Sequence, residues 1–277
     1  MSDGAQVGLT ENRARWDELV AHHVGSEFYD VDGFRSGRDT LSPIERAGLG
    51  DVSGKSLVHL QCHFGMDSLS WARSGAIVTG VDFSPKAIAA ATALSQEIAV
   101  PARFVVSEVT AASEALSGEQ FDIVYTAWGV LGWLPDLSAW AHTVAALLRP
   151  GGQFFIAETH PVAWLFDPTS AEPTDGLRQT WDYFGHGRKF SVESAGSYAA
   201  PNAPIQNRRE HVWIYELAQV ITALLNAGLT LTAIAEHDAT CSGCLPGMTK
   251  RSDGLWVLPE GRPNLPLSFT ISATKDR

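Results

Sequence analysis

Residues 56–82 read SLVHLQCHFGMDSLSWARSGAIVTGVD: an apolar run, a tight segment closing on Gly65, a short helical stretch, a second apolar run and then Asp82, 17 residues beyond Gly65. In doubly wound α/β sheets ligands bind outside the carboxyl ends of the strands, so the turn and the acid share one crevice. A carboxylate so placed accepts hydrogen bonds from the ribose hydroxyls of a nucleoside, while the turn offers backbone N–H groups to the rest of the ligand. Taken alone, the stretch predicts a nucleoside crevice.

The elements that must hold these residues follow from the patterning on either side. Ser84-Pro85 opens an Ala-rich helix over 86–99, with serine as cap and proline at the first helical position. Strands are expected over 102–106, 121–125 and 153–157, and Leu137, Trp140, Ala141, Val144, Leu147 and Leu148 recur at helical spacing between the last two. Arg149-Pro150-Gly151-Gly152 is expected to end that helix. Short buried strands alternating with helices give a parallel sheet covered on both faces. A helix is predicted over 216–227, with Gly228 as its stop, and the last two strands over 229–236 and 266–274. Upstream, a helix is predicted over 10–20 and another from Ser42 or Pro43 to 49. The polar and aromatic stretch between them, with Phe28, Tyr29 and Phe34, reads either as a surface arm or as a lid over the crevice. Residues 161–209 break into aromatic, Gly/Pro-punctuated sequence, which predicts an insertion near the site that is functional or partly β.

With 277 residues the chain is long enough for one large domain with insertions or for two small ones, and one is expected because no Pro/Gly/Ser-rich linker divides it; 45% hydrophobic and 18% charged residues are a globular composition. The predicted division is a lid over 1–50, a core over 51–160, a substrate-side insertion over 161–212, and a last helix with terminal strands over 213–277. A net charge of −11 argues against a protein built to grip nucleic acid, and no Lys/Arg cluster overrides it. The opening MSDGAQVGLTENRARW has no apolar core after a basic start, so neither secretory signal nor membrane anchor is expected, and the expected location is cytoplasmic. Three cysteines do not make a disulfide framework. Cys241 and Cys244 have metal-ligand spacing but lack a second pair, so no metal is expected.

The chain resembles the class I S-adenosylmethionine-dependent methyltransferases, in particular the bacterial small-molecule branch with a first motif of the LQCHFG kind. The likeness covers residues 52–157 and continues through the 216 helix to the LPLSFTISATK ending. It implies a doubly wound, mostly parallel seven-stranded sheet of Rossmann-like type with a terminal antiparallel hairpin. Where the family has an acid followed by three alternating glycines, this chain has His59, then Gln61, His63 and Gly65. The resemblance implies that Asp82 binds the ribose hydroxyls and that Glu108, with Val109 as an apolar wall, faces the adenine. Gln61 and His63 are expected to bring side-chain contacts to the amino acid end of the cofactor, and Gly65, Phe83 and Thr126 complete the set. The FDIVYTAW strand and LLRPGG before the next strand are further matches.

The implied activity is methyl transfer from S-adenosylmethionine to a small-molecule acceptor at oxygen or nitrogen, with no nucleic acid or membrane partner. Such an in-line displacement asks the protein chiefly for proximity, orientation and a dry site, with a general base only where the acceptor is protonated. His160, at the end of the fifth strand, is the candidate base, or else a histidine bonded within the turn before Pro161. Tyr29, Trp128, Trp213 and Tyr215 are the candidate acceptor-side residues, the last two alternatively packing under the insertion; His211 is an outside candidate. Two other readings stand beside this one. A nicotinamide-dependent oxidoreductase shares the strand, turn, helix and acid but needs glycines where Gln61 and His63 crowd the backbone. A non-catalytic protein that keeps the fold is suggested by the same missing glycines.

Overall fold

The computed structural model describes residues 3–166, 177–261 and 264–276. The chain opens with a helix over Asp3–Val24 (α1), a short helix over Val31–Arg35 (α2) and a third over Pro43–Leu49 (α3). Ser42 caps α3 in a reciprocal capping box with Glu45, with Pro43 at the first helical position. The alternating core then runs Ser56–Leu60 (β1), Met66–Arg73 (α4), Ile77–Asp82 (β2), Pro85–Glu97 (α5), Arg103–Val106 (β3), Ala112–Ala115 (α6), Phe121–Ala127 (β4), Leu137–Leu147 (α7) and Leu148–Thr159 (β5). After it come Lys189–Glu193 (β6), Arg209–Trp213 (β7), Leu217–Asn226 (α8), Leu229–His237 (β8), Ala239–Thr240 (β9), Thr249–Lys250 (β10), Trp256–Val257 (β11) and Ser268–Lys275 (β12).

Seven strands form one sheet in the order β3-β2-β1-β4-β5-β12-β8. The first five are parallel, and β12 lies antiparallel between β5 and β8. This is the expected doubly wound sheet with its terminal antiparallel pair, in which β12 alone runs against the other strands. Alternate residues of each strand face opposite layers. Val58, Leu60, Val124, Phe154 and Ile156 pack with Trp140 and Leu147 of α7 and with Val220 and Leu224 of α8. Leu57, Ile123, Tyr125 and Phe155 pack with Trp71 of α4 and Leu49 of α3 on the other face. The strands bury both faces, which is why they read as continuous apolar runs rather than alternating ones.

Two expectations change, those for residues 149–152 and for the first helix, while the insertion is partly β as anticipated. Arg149-Pro150-Gly151-Gly152 does not stand between helix and strand as a separate turn. The chain enters β5 at Leu148, pairs it with Phe121, and resumes pairing at Gln153, so these residues form an irregularity inside the strand, with Gly151 at φ 78°. The insertion is partly β: β6 and β7 are an antiparallel hairpin, while the expectation for 167–176 lies outside the described residues. The first helix is longer than the predicted 10–20 at both ends.

Candidate functional site

The β1 turn is built on left-handed backbone. Gln61 has φ 57°, His63 φ 51° and Gly65 φ 80°, so two non-glycine residues hold a conformation that glycine adopts freely. Packing enforces the turn. A Cβ at position 65 would lie 2.8 Å from Ala91 Cβ and from the Phe104 ring, and Cys62 N–H donates to Val81 O at 3.0 Å, tying the turn to β2. Asp82, at the end of β2, sits directly beneath it. Its Oδ2 accepts from His63 N–H at 2.9 Å and its Oδ1 from Ser84 N–H at 2.9 Å. Burial pushes this carboxyl up to about 6, against those N–H groups, which act to lower it.

Gln61 reaches across β1 towards the loop after β4, where its Nε2 donates to Val130 O at 3.0 Å. The carbonyl oxygen of Val130 fixes which end of the amide points there, so Gln61 Oε1 faces the other way, enclosed and without a hydrogen-bond partner. Thr126, fully buried, donates from Oγ1 to Leu60 O at 3.2 Å and binds β4 to β1. Glu108 and Phe83 are half-buried at the ends of β3 and β2, and Val109 packs on the main core.

Sequence reasoning passed over Glu158. Buried at the end of β5, its carboxylate accepts from Gly129 N–H (2.6 Å), Val130 N–H (2.7 Å), Leu131 N–H (3.1 Å) and Thr159 N–H (2.7 Å). Those bonds gather the loop after β4 and hold Trp128 and Gly129 at φ 55° and 77°. A carboxylate three residues before Pro161 was the only sequence signal, and its partners in the loop after β4 lie nearly thirty residues away. His160 next to it is also buried. Its Nδ1 accepts from Val162 N–H at 3.1 Å, capping the 3₁₀ turn Pro161–Leu165, and its Nε2 lies 3.0 Å from Glu236 Oε1 on β8. Its Nδ1 thus serves the turn, while Nε2 faces the neighbouring strand without a hydrogen bond.

The crevice is roofed by α1 and the β6–β7 hairpin. Buried Arg15 donates to Glu210 Oε2 (3.2 Å) and to the carbonyls of Asn207 (3.1 Å), Arg208 (3.4 Å), Ser194 and Gly196. Asn12 exchanges two 2.8 Å bonds with the backbone of His211, and Glu18 takes the N–H groups of Gln206 and Asn207. His211 is locked between Ser191 Oγ and Glu11, and the Glu11 carboxyl is held below its usual range by that histidine. His211 and the buried Trp213, packed against Gly8, therefore belong to the joint between α1 and the hairpin. Tyr215 donates to Leu134 O at 2.7 Å. A groove of about 460 Å³ runs over the outside of this joint, and none of its lining residues belongs to the crevice.

Beneath the roof the rings of Trp16, His23, Tyr29 and His63 meet at centroid distances of 5.1–5.7 Å. His63 Nε2 and His23 Nδ1 share one proton at 2.9 Å, and His23 Nε2 lies 2.7 Å from Ser197 Oγ. Burial lowers both imidazoles, His23 to about 4, so both are neutral at pH 7. Tyr29 and Tyr198 join through their hydroxyls at the mouth. Trp128, half-buried, packs instead against the core cluster on the α3 and α4 side. Cys241 and Cys244 are half-buried free thiols, with burial pushing Cys244 up to about 11. No grouping of three His, Cys, Asp or Glu residues suited to a metal occurs among the described residues, and no helix among them is long and apolar enough to cross a membrane.

Comparison with known proteins agrees with this geometry. Residues 58–154 match a family model described as a methyltransferase domain. A ubiquinone biosynthesis O-methyltransferase of Methylobacterium sp. (strain 4-46) is 39% identical over 165 residues, 56% of this chain and 63% of that protein, so this chain spans under two thirds of it. The enzyme of the same name from Aeromonas salmonicida (strain A449) is 30% identical over 180 residues, 62% of this chain and 71% of that protein. The solved S-adenosylmethionine-dependent methyltransferase from Mesorhizobium loti superposes with a TM-score of 0.56 at 20% identity, covering 87% of this chain and all of that one. This chain belongs to the class I S-adenosylmethionine-dependent methyltransferases.

Proposed function

We propose that this protein transfers a methyl group from S-adenosylmethionine to a hydroxyl oxygen of a small, uncharged aromatic molecule. The observation that carries the donor half is the pairing of Asp82 with the β1 turn. Asp82 keeps unused lone pairs on both oxygens, and Gln61 Oε1 is an enclosed acceptor with no donor. Both fit a ligand rich in hydroxyl and ammonium donors. Their order across the sheet agrees: β3, β2, β1 and β4 are successive neighbours, so a ribose at Asp82 sends the adenine towards Glu108 and Val109 just after β3 and the amino acid end towards Gln61 and Val130. Phe83, Gly65 and Thr126 shape the backbone beneath.

When bound, S-adenosylmethionine supplies the methyl carbon as an electrophile already activated by the sulfonium. The chain's own work is then to position, to keep water out and to take a proton from the acceptor hydroxyl. The roof residues Tyr29, Tyr198 and His23 support the exclusion of water and the choice of a flat, apolar acceptor. His63, neutral at pH 7 with its Nε2 on His23, keeps Nδ1 for that proton, whereas Nδ1 of His160 accepts from Val162 N–H and its Nε2 faces Glu236. The choice of oxygen rests on the O-methyltransferase names of the relatives. Isothermal titration with S-adenosylhomocysteine, followed by mass spectrometry of a panel of phenols incubated with S-adenosylmethionine, tests the reading. Micromolar binding and a single added methyl on a phenol are expected; absence of binding at high micromolar ligand removes it.

A further inference from the structure

The donor slot is filled from within the chain. Trp16, on the inner face of α1, lies with its ring centroid 5.3 Å from His63 in the β1 turn and 5.2 Å from Trp133 in the 3₁₀ turn after β4, edge-on to both. Rings at that separation are in contact, with no room for a ligand between them. Asp82 under the β1 turn and the amide of Gln61, which meets Val130 in the loop after β4, bracket this same span. Two further contacts press α1 onto the site. Asp17 Oδ1 accepts from Ser84 Oγ and from Lys86 N–H (3.2 Å), beside the Ser84 N–H that Asp82 holds, and His23 meets His63 at 2.9 Å. The roof is a unit, because Arg15, Asn12 and Glu18 fasten α1 to the hairpin and its flanking turns.

We propose that this is an autoinhibitory contact: Trp16 and the methyl donor compete for one slot, and α1 lifts from the core together with the β6–β7 hairpin before the donor enters. The inference rests on the donor placement given under the proposed function. It makes the open form the binding-competent one, so the apparent affinity of the parent chain is reduced by the fraction of molecules that are open. Weakening the closing contact raises that fraction and tightens binding. The sign is opposite to that expected if Trp16 were simply a wall of the donor site.

The test is isothermal titration of S-adenosylhomocysteine into the parent chain, Trp16→Ala and Asp17→Asn, with circular dichroism to establish folding of each. Trp16→Ala removes two aromatic contacts from the closed form and is expected to bind about tenfold tighter than the parent. Asp17→Asn leaves the slot untouched, weakens the latch on Ser84 and Lys86, and is expected to tighten binding in the same direction; it decides the matter alone if Trp16→Ala does not fold. Stopped-flow binding to the parent should show an observed rate that levels off with ligand concentration, at a plateau set by opening. Weaker binding by Trp16→Ala, or unchanged affinity in both variants, overturns the competition while leaving the donor site standing. Failure of all three chains to bind overturns the donor placement and this inference with it.

Discussion

Donor affinity should rise with pH through the titration of Asp82. The carboxyl is 7% exposed and burial pushes it up to about 6. In the empty protein the charged form is therefore disfavoured: the fold is favoured by protonation below the ordinary Asp value, and that contribution is lost as pH rises through about 6. Ribose hydroxyls donating to the carboxylate reverse the preference and pull the group back down, so binding takes up the ionised form. A carboxyl titrating at about 6 is ionised in roughly one molecule in eleven at pH 5 and roughly ten in eleven at pH 7, which makes the expected gain in affinity about tenfold. His23, lowered to about 4, stays neutral across this window. Asp67, raised to about 7 by burial, does titrate within it, so Asp82→Asn is the control that isolates one carboxyl from the other. Isothermal titration of S-adenosylhomocysteine at pH 5, 6 and 7 makes the measurement, since the ligand's own ammonium and carboxylate keep their charges. A level affinity in the parent chain, or a slope that survives Asp82→Asn, refutes the placement of the ribose.

Other residues give sharper structural outcomes. Glu158→Gln turns an NH₂ group towards backbone N–H donors now held at 2.6–3.1 Å, and should lower stability by about 2–4 kcal/mol in urea unfolding; an unchanged midpoint would deny that the carboxylate holds the loop after β4. Gly65→Ala places a Cβ at φ 80° and 2.8 Å from Ala91 and Phe104, for an expected loss of about 1–3 kcal/mol together with weaker donor binding. His160→Asn keeps an acceptor near Val162 N–H and loses the contact with Glu236. It should lower Tm by about 2–4 °C and leave the pH profile of kcat unaltered, whereas a lost acidic limb would place His160 in the chemistry as a base.

What the sequence shows about this chain divides along a physical line. The sheet was legible because its strands are buried on both faces, so Leu57–Leu60 and Val78–Val81 stand out as apolar runs whatever lies beside them. Asp82 was legible by its register on β2. The bonding of Gln61 and Glu158 was not, because each has a partner distant in sequence, Val130 in one case and Gly129 to Leu131 in the other. His160 illustrates the same limit: its position at the end of β5 suggested chemistry, but Glu236 on β8 and the turn before Val162 decide what its nitrogens do. The ends of α1 were hidden for another reason. Gly4 and Gly8 discourage a helix, yet Gly8 is where the helix approaches His211 and Trp213 within reach of contact, and the helix is held there by Asn12, Arg15 and Glu18 rather than by an apolar stripe that periodicity would reveal.

That difference in how α1 is held also decides which seam can part. Towards the hairpin, α1 buries a guanidinium bonded to Glu210 and to successive carbonyls, and an amide paired with both backbone groups of His211. Removing one partner from such a buried charged network costs several kcal/mol, about 3–5 for a buried ion pair. Towards the core, the helix offers Val24 on the cluster of Phe34 and Leu69, aromatic edges, one bond between two neutral imidazoles and one carboxylate on Ser84 and Lys86. Aromatic pairs of this kind contribute only about 0.5–1.5 kcal/mol each beyond their burial, and the groups they leave behind, His63 and Trp133, are ones that a bound ligand can cover again. The weaker seam is therefore the one over the donor slot, and the roof should open as a body rather than by peeling α1 from its hairpin.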